Sequence, residues 1–155
     1  MTINTKNRYQ IIPITTMIQL QQAHKIRIRV FVDEQHAPRE GEIDAKDPTC
    51  THWLAIDTTT TPFTPLGTIR LVPIDAKECA LGRLCLDKPA RGLGIGRLLV
   101  ETMLQSAKEK RYTKVSMHAQ TDKMGFYLKC GFIHLVELGD FMEDGIPHVY
   151  MAMNL

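Results

Sequence analysis

The stretch "KPARGLGIGRLL", Lys88 to Leu99, sets glycines at 92, 94 and 96 directly behind Arg91 and in front of an apolar run. Leu98, Leu99, Val100, Met103, Leu104 and Ala107 recur at helical spacing and predict a helix running to about Lys110. A glycine-rich loop that opens a helix points several main-chain N–H groups in one direction, and the helix terminus adds a partial positive charge of about half a unit. Glycine lets a phosphate approach the main chain closely and accepts positive φ. The stretch therefore reads as an anion cradle suited to a pyrophosphate, with Arg91 and Arg97 at its rim. A P-loop would continue with Lys and then Ser or Thr, whereas Arg97 and Leu98 follow Gly96. A dinucleotide loop would read G-x-G-x-x-G, whereas the glycine spacing here is uniform. The plainer reading is a simple strand-to-helix turn, and three alternating glycines behind an arginine exceed what such a turn needs.

Outward from the loop, Ala80–Leu86 and Lys114–His118 read as strands joined by the helix, hence as parallel neighbours with a crossover. Tyr9–Pro13 reads as a first strand. Thr15 and Thr16 offer caps for a helix of about 16–31 whose Ile18, Ala23, Ile26 and Val30 recur at helical spacing. "FVDEQHAPREGEIDAKDP" (31–48) is acidic and broken by Pro38, Gly41 and Pro48, so a loop or short irregular helix is expected. "THWLAI" (51–56) and "LGTIRLVPI" (66–74) flank a Thr- and Pro-rich turn and predict an antiparallel hairpin. Asp122–Lys129 is helix-like, and "FIHLVEL" (132–138) and "HVYMAM" (148–153) suggest two closing strands. The order implies an α/β (α+β) fold in one domain over 1–155, without repeat or linker.

Composition narrows the function classes. At 155 residues, 44% hydrophobic and 23% charged, the chain can bury about two-thirds of its unfolded surface. No apolar run approaches the ~18 residues of a membrane span, so no membrane partner is expected. "MTINTKNRYQ" lacks the layout of a secretory signal, which points to the cytoplasm. Cys50, Cys79, Cys85 and Cys130 form no C-x-x-C pair, which favours free thiols over a disulfide frame or a zinc site, and no metal is expected. A net charge of +2 gives no argument for nucleic acid.

"ARGLGIGRLL" resembles the acetyl-CoA pyrophosphate motif of the GNAT N-acetyltransferase superfamily, [RQ]-x-x-G-x-[GA], with Arg91, Gly94 and Gly96 at its defining places. "FYLKCGF" (126–132) resembles the superfamily's F-Y-x-x-x-G-F element. "RVFVDEQ" (29–35), "EIDAKD" (42–47) with His52, and "EDGIPHVYMAM" (143–153) resemble the ElaA-like branch, so the likeness spans nearly the whole chain. The resemblance implies a mixed, mostly antiparallel sheet whose central parallel pair, Ala80–Leu86 and Lys114–His118, splays apart between flanking helices. It implies that the main chain of Leu84 and Leu86 receives the pantetheine arm. The amides of Arg91, Gly92, Leu93, Gly94, Ile95, Gly96 and Arg97 would receive the pyrophosphate, with Phe126 also at the cofactor. Gln120 stands where many relatives carry Asn.

Acetyl transfer from a thioester to an amine sets three requirements. An alkylammonium with a pKa of about 10 must lose a proton, the oxyanion needs a donor, and the departing thiolate needs a proton. The resemblance gives the acid role to Tyr127, a phenol that is neutral and a donor at neutral pH; packing beside Phe126 is its plainer role. A main-chain N–H near Leu86 could support the oxyanion. Glu34, Glu42, Asp44, Asp47, His52 and His148 are candidates for the base, with Glu34 and His148 favoured because each lies in a branch-like motif. His118 and His134 read as structural. In the family's layout Glu34, Glu42, Asp44, Asp47, Glu143 and Asp144 border the acceptor mouth, where free carboxylates would attract a cationic amine; solvated loop charges are the plainer alternative. The expected activity is acetyl-CoA-dependent N-acetylation of a small-molecule or peptide amine, and a homodimer is compatible with it. The alternative is a non-catalytic acyl-CoA-binding regulator on the same fold.

Overall fold

The computed structural model describes residues 8–155. Residues 1–7 of the stretch read for a secretory signal lie outside the described residues. Strand β1 (Tyr9–Pro13) leads into α1 (Met17–Arg27). The Thr16 hydroxyl accepts the Gln19 N–H at 3.2 Å and the Gln19 side chain accepts the Thr16 N–H at 3.1 Å. This reciprocal capping box satisfies two otherwise orphaned donors and sets the helix start. No glycine or proline intervenes before Pro38. The helix therefore does not give way to a loop at Phe31 but widens into a π-helical segment, Ile28–Glu34, whose closing bond runs from Gln35 N–H to the Val30 carbonyl at 3.1 Å. A single turn, α2 (Arg39–Glu42), follows.

The remaining elements are β2 (Thr51–Asp57), β3 (Thr64–Pro73), β4 (Glu78–Leu86), α3 (Ile95–Glu109), β5 (Lys114–Gln120), α4 (Met124–Lys129), β6 (Ile133–His134), β7 (Asp140–Glu143) and β8 (Ile146–Asn154). Among the described residues eight strands form one sheet in the order β1-β2-β3-β4-β5-β8-β6, with β7 paired to β8. Every pairing is antiparallel except β4 with β5. This is the mixed α/β architecture expected, with α3 as the crossover.

Side-chain alternation in β2 builds a core on each face of the sheet. Trp53 and Ala55 join Ile95, Leu99, Val100 and Met103 of α3, while Leu54 and Ile56 join Ala23, Ile26 and Val30 of the first helix and its π-helical extension. Each fully buried aliphatic side chain contributes about 1.5–3 kcal/mol, so both helices are held to the sheet chiefly by these contacts. In β4 the alternation breaks. Leu81 and Cys85, four residues apart, would share a face in a regular strand, yet they lie in opposite cores. The cause is a bulge: Thr68 pairs with Cys85 and Arg70 with Gly82, leaving Arg83 and Leu84 opposite Ile69 alone, with Arg83 at φ 53°. The extra residue swaps faces and bends the strand. Pairing of β4 with β5 runs from Glu78–Lys114 to Ala80–Ser116 and no further. Beyond it the two strands part, as the resemblance implied.

The chain's last quarter departs from the reading of two closing strands. "FIHLVEL" forms only the two-residue β6 and then a 3₁₀ turn, Val136–Leu138. The added strand β7 turns into β8 through Asp144 and Gly145, at φ 52° and 75°. Among the described residues no helix is long and apolar enough to cross a membrane, and all four cysteines are free thiols.

Candidate active site

Where β4 and β5 part, a cleft of about 940 Å³ opens between the glycine loop, Tyr127 and the β7–β8 hairpin. At the loop end, Gly92 and Gly94 adopt φ 78° and 80°, a region that L side chains enter at a cost of roughly 1–2 kcal/mol. Gly94 is the N-cap of α3 and no side chain caps the helix, so the first-turn N–H groups keep their donors for something outside the helix. A Cβ built on Gly92 or Gly94 would meet no protein atom within 4 Å. Open space beside uncapped donors fits an anionic group such as a pyrophosphate. Gly96 differs: a Cβ there would sit in ordinary van der Waals contact, 3.5 Å from Phe126 and 3.6 Å from Leu86, so this glycine lies against protein rather than open space. The Ile95 side chain is buried and that of Leu93 is exposed.

The two arginines expected at the rim are turned to other partners. Arg91 donates to the Leu86 carbonyl at 2.9 and 3.1 Å and to the Glu34 carboxylate at 2.9 and 3.0 Å. Arg97 pairs with Glu101 at 2.9 Å on the outer face of α3. The Asp87 N–H bonds the Leu66 carbonyl at 2.9 Å, so Gly67 and Leu86 form a non-hydrogen-bonded pair and the Leu86 main chain faces the parted side. Its carbonyl is taken by Arg91, leaving the N–H as the group Leu86 can offer. Leu84, inside the bulge, lines the same cleft. Tyr127 is 8% exposed and meets Phe126 and Phe132 edge to face, with centroids 5.0 and 6.0 Å apart. Burial, reinforced by the Cys130 and Cys85 thiols, pushes its phenol up from the ordinary value. The hydroxyl is protonated at neutral pH, as a donor must be.

The acidic loop is the main correction. Glu42 and Asp47 are 4% and 5% exposed rather than solvated. Arg27, itself 1% exposed, donates to Glu42 and to Asp47 at 2.9 Å each and also to the Glu42 carbonyl. Arg70 donates to Asp47 at 2.8 Å and to Asp44 at 2.8 and 2.9 Å. Arg83 stands 3.2 Å from Glu42 and 3.4 Å from Asp44. Three guanidiniums thus cancel three carboxylates. With Glu34 held by Arg91 as well, four of the six acids expected to supply free negative charge at the mouth are neutralised. The Arg70 guanidinium holds Asp44 well below the usual carboxylate range. Burial pushes Asp47 up, but Arg27 and Arg70 outweigh it and leave it low. Burial dominates at Glu42, which is raised despite its guanidinium partners. His52, another candidate base, is buried with Nε2 3.0 Å from the Asp47 carbonyl.

At the opposite end, His148 is 6% exposed and lies across from Gln120 in the β5–β8 ladder. Its Nδ1 is 2.7 Å from the Ile146 carbonyl and its Nε2 is 3.5 Å from Glu143 Oε2. His118, expected to be structural, instead lines the cleft, with Nδ1 3.0 Å from Glu143 Oε1 and its ring edge-on to Phe141 and Tyr150. Gln120 donates to Gln35 at 2.7 Å, linking β5 to the segment that follows the π-helix. His134 sits on β6. The sequence held one unread signal for this corner: Asp144-Gly145 is a strong two-residue hairpin dipeptide, and it places Phe141 opposite His148 and Glu143 opposite Ile146. The arginine cluster had none, because its members meet only after folding.

Residues 17–132 match the sequence profile of the Acetyltransferase (GNAT) family. The chain is 39% identical over 147 residues to the protein YyaT of Bacillus subtilis (strain 168), covering 92% of this chain and 93% of that one. It is 30% identical over 135 residues to protein ElaA of Escherichia coli (strain K12), covering 86% of each. The crystal structure of Escherichia coli ElaA aligns with a TM-score of 0.77 and 26% identity over 93% of this chain and 97% of that one, in line with the branch read from the three flanking segments. A GNAT family acetyltransferase from Elizabethkingia anophelis, solved with acetyl-CoA bound, shares the fold at a TM-score of 0.66 and 17% identity, over 96% of this chain and 99% of that one. A glycine loop with uncapped donors, a central strand pair that parts beside it, and a profile match over most of the length converge: the chain belongs to the GNAT acetyltransferase family.

Proposed function

We propose that this protein, acting over 1–155 as one domain, transfers an acetyl group from acetyl-CoA to a primary amine of a small molecule or peptide. The observation that carries this reading is the parting of β4 from β5 directly beside uncapped helix donors. A strand-like arm and a pyrophosphate would be held there together, by the Leu84 and Leu86 main chain and the 92–97 amides. Acetyl-CoA, when bound, supplies an activated carbonyl with a good leaving group. Tyr127 Oη holds a proton for the departing sulfur, because burial keeps the phenol neutral. His148 is favoured over Glu34 as base. The Glu34 carboxylate is engaged by Arg91, whereas a neutral imidazole keeps one basic nitrogen. Of the six acids, Glu143 and Asp144 are left to favour a cationic acceptor, through a smaller field than six free acids would create. The free thiols among the described residues fit a reducing, cytoplasmic setting.

Incubation with acetyl-CoA and a panel of polyamines, amino sugars, amino acids and peptides, followed by assay of free CoA, tests the activity. Calorimetry with acetyl-CoA tests binding separately. Release of CoA that depends on one class of amine is expected. Failure to bind acetyl-CoA would overturn the proposal, and binding without release across the panel would overturn transfer.

A further inference from the structure

His148 Nδ1 lies 2.7 Å from the Ile146 carbonyl, which can only accept, so this nitrogen carries a proton and donates it. When the ring is neutral, its Nε2 lone pair faces Glu143 Oε2 across 3.5 Å. Two acceptors facing each other at that distance repel unless a donor lies between them or one takes a proton. Glu143 does not escape the conflict by turning away, because its other oxygen is held 3.0 Å from His118 Nδ1. All three side chains line the cleft. Among the described residues no group of three His, Cys, Asp or Glu side chains is arranged to hold a metal ion, so the set is not explained as a metal site.

We propose that Glu143 and His148 form a two-acceptor seat for the ammonium group of the acetyl acceptor, with His118 positioning Glu143. The inference rests on the acetyl-transfer reading and adds the groups that hold the amine beside His148. An ammonium offers several N–H donors on one atom, so it satisfies Nε2 and Oε2 together, which a hydroxyl cannot do. Deprotonation breaks one N–H bond of the ammonium. Its electron pair stays on the amine nitrogen as the nucleophile's lone pair, and the proton forms Nε2–H on His148. The imidazolium so formed donates to Glu143, turning the repulsion into a charge-assisted hydrogen bond. Glu143 is half exposed and gives the proton a route to water. The cleft's other charged side chains are Asp144, Asp122, Lys123 and Lys46, besides the Arg91–Glu34 pair and the arginine cluster.

The test is nitrogen NMR of the full chain labelled with ¹⁵N-histidine at pH 8.5, with propylammonium chloride as probe. The His148 signals are those missing from His148→Gln. The expected spectrum has a protonated Nδ1 and a bare Nε2, and the Nε2 signal moves as the probe is added. Glu143→Gln should need at least about tenfold more probe for the same change, the loss of a charged hydrogen bond. His118→Gln should need about threefold more, as for a partly exposed pair. A proton found on Nε2 at pH 8.5, or a wild-type response in Glu143→Gln, overturns the seat. If Nε2 responds while no amine in the panel releases CoA, the seat stands and acetyl transfer falls; if CoA is released while Nε2 is indifferent to the probe, the seat alone falls.

Discussion

The glycine loop at 91–97 and the arginine cluster around Asp47 flank the same cleft, yet the first is made of main chain and the second of side chains. The loop holds its shape with two left-handed glycines and an uncapped helix terminus, and every part lies within seven residues. The cluster draws Arg27, Glu42, Asp44, Asp47, Arg70 and Arg83 from the first helix, the acidic loop and two strands. A main-chain site tolerates change in neighbouring side chains but not in backbone conformation. A buried ionic site has the reverse sensitivity, because removal of one charge strands its partners.

The sharpest way to break this contrast is Arg27→Leu. It leaves Glu42 and Asp47 buried without their principal cation, and a loss of about 3–5 kcal/mol of folding stability is expected by denaturant titration. A loss below 1 kcal/mol would mean that the cluster relaxes into water. Tyr127→Phe, on the main-chain side, keeps the ring packing and should cut turnover by about 10²–10⁴ while acetyl-CoA affinity stays near wild type. Undiminished turnover would return Tyr127 to a packing role. Gly94→Val tests the loop itself. Its Cβ meets no protein atom, so stability should fall only by the roughly 1–2 kcal/mol cost of positive φ, while acetyl-CoA binding weakens far more than stability, to the point of loss in calorimetry. Wild-type affinity would break the cradle assignment.

The ionic side should also betray itself in acid. Asp44 and Asp47 titrate lower in the fold than in the unfolded chain, so their stabilisation is fully present above about pH 4 and is lost as the pH falls through their folded values. His24 and His52 are pushed down, chiefly by burial. The unfolded chain therefore takes up protons first, and stability declines as the pH drops through about 6.5. Glu42, raised by burial, acts in the opposite sense and offsets part of the loss. A melting temperature that falls from pH 7 to 5 and again below 4 is expected; a flat profile over both ranges would contradict the assignment. The smallest effect should come from the pair that ties the glycine loop to the π-helical segment: Glu34→Gln frees Arg91 from its carboxylate and should tighten acetyl-CoA binding about two- to fivefold.

Legibility followed the same divide. The loop, the crossover helix and the order of the parallel strands could be read because their signals are local: glycine spacing, helical periodicity and a strand on either side. Thr15 and Thr16 both read as caps for the same reason, and the fold uses Thr16. The bulge at Arg83 left no mark, since a left-handed arginine looks like any other arginine in the chain and the face swap between Leu81 and Cys85 appears only once β3 is beside it. "FIHLVEL" has strand-like composition, but ladder pairing with β8 stops after Ile133 and His134, and Leu135 adds a single N–H bond to the Tyr150 carbonyl at 2.9 Å.

By itself the sequence determined the backbone devices of this protein, because a main-chain anion site and a crossover are specified by residues a few positions apart. Tertiary structure alone decided which charges are free. Whether Glu34, Glu42, Asp44 and Asp47 face an amine or are neutralised depends on arginines up to 57 residues away. Coulomb attraction and desolvation act on distance in space, and only the folded chain sets that distance.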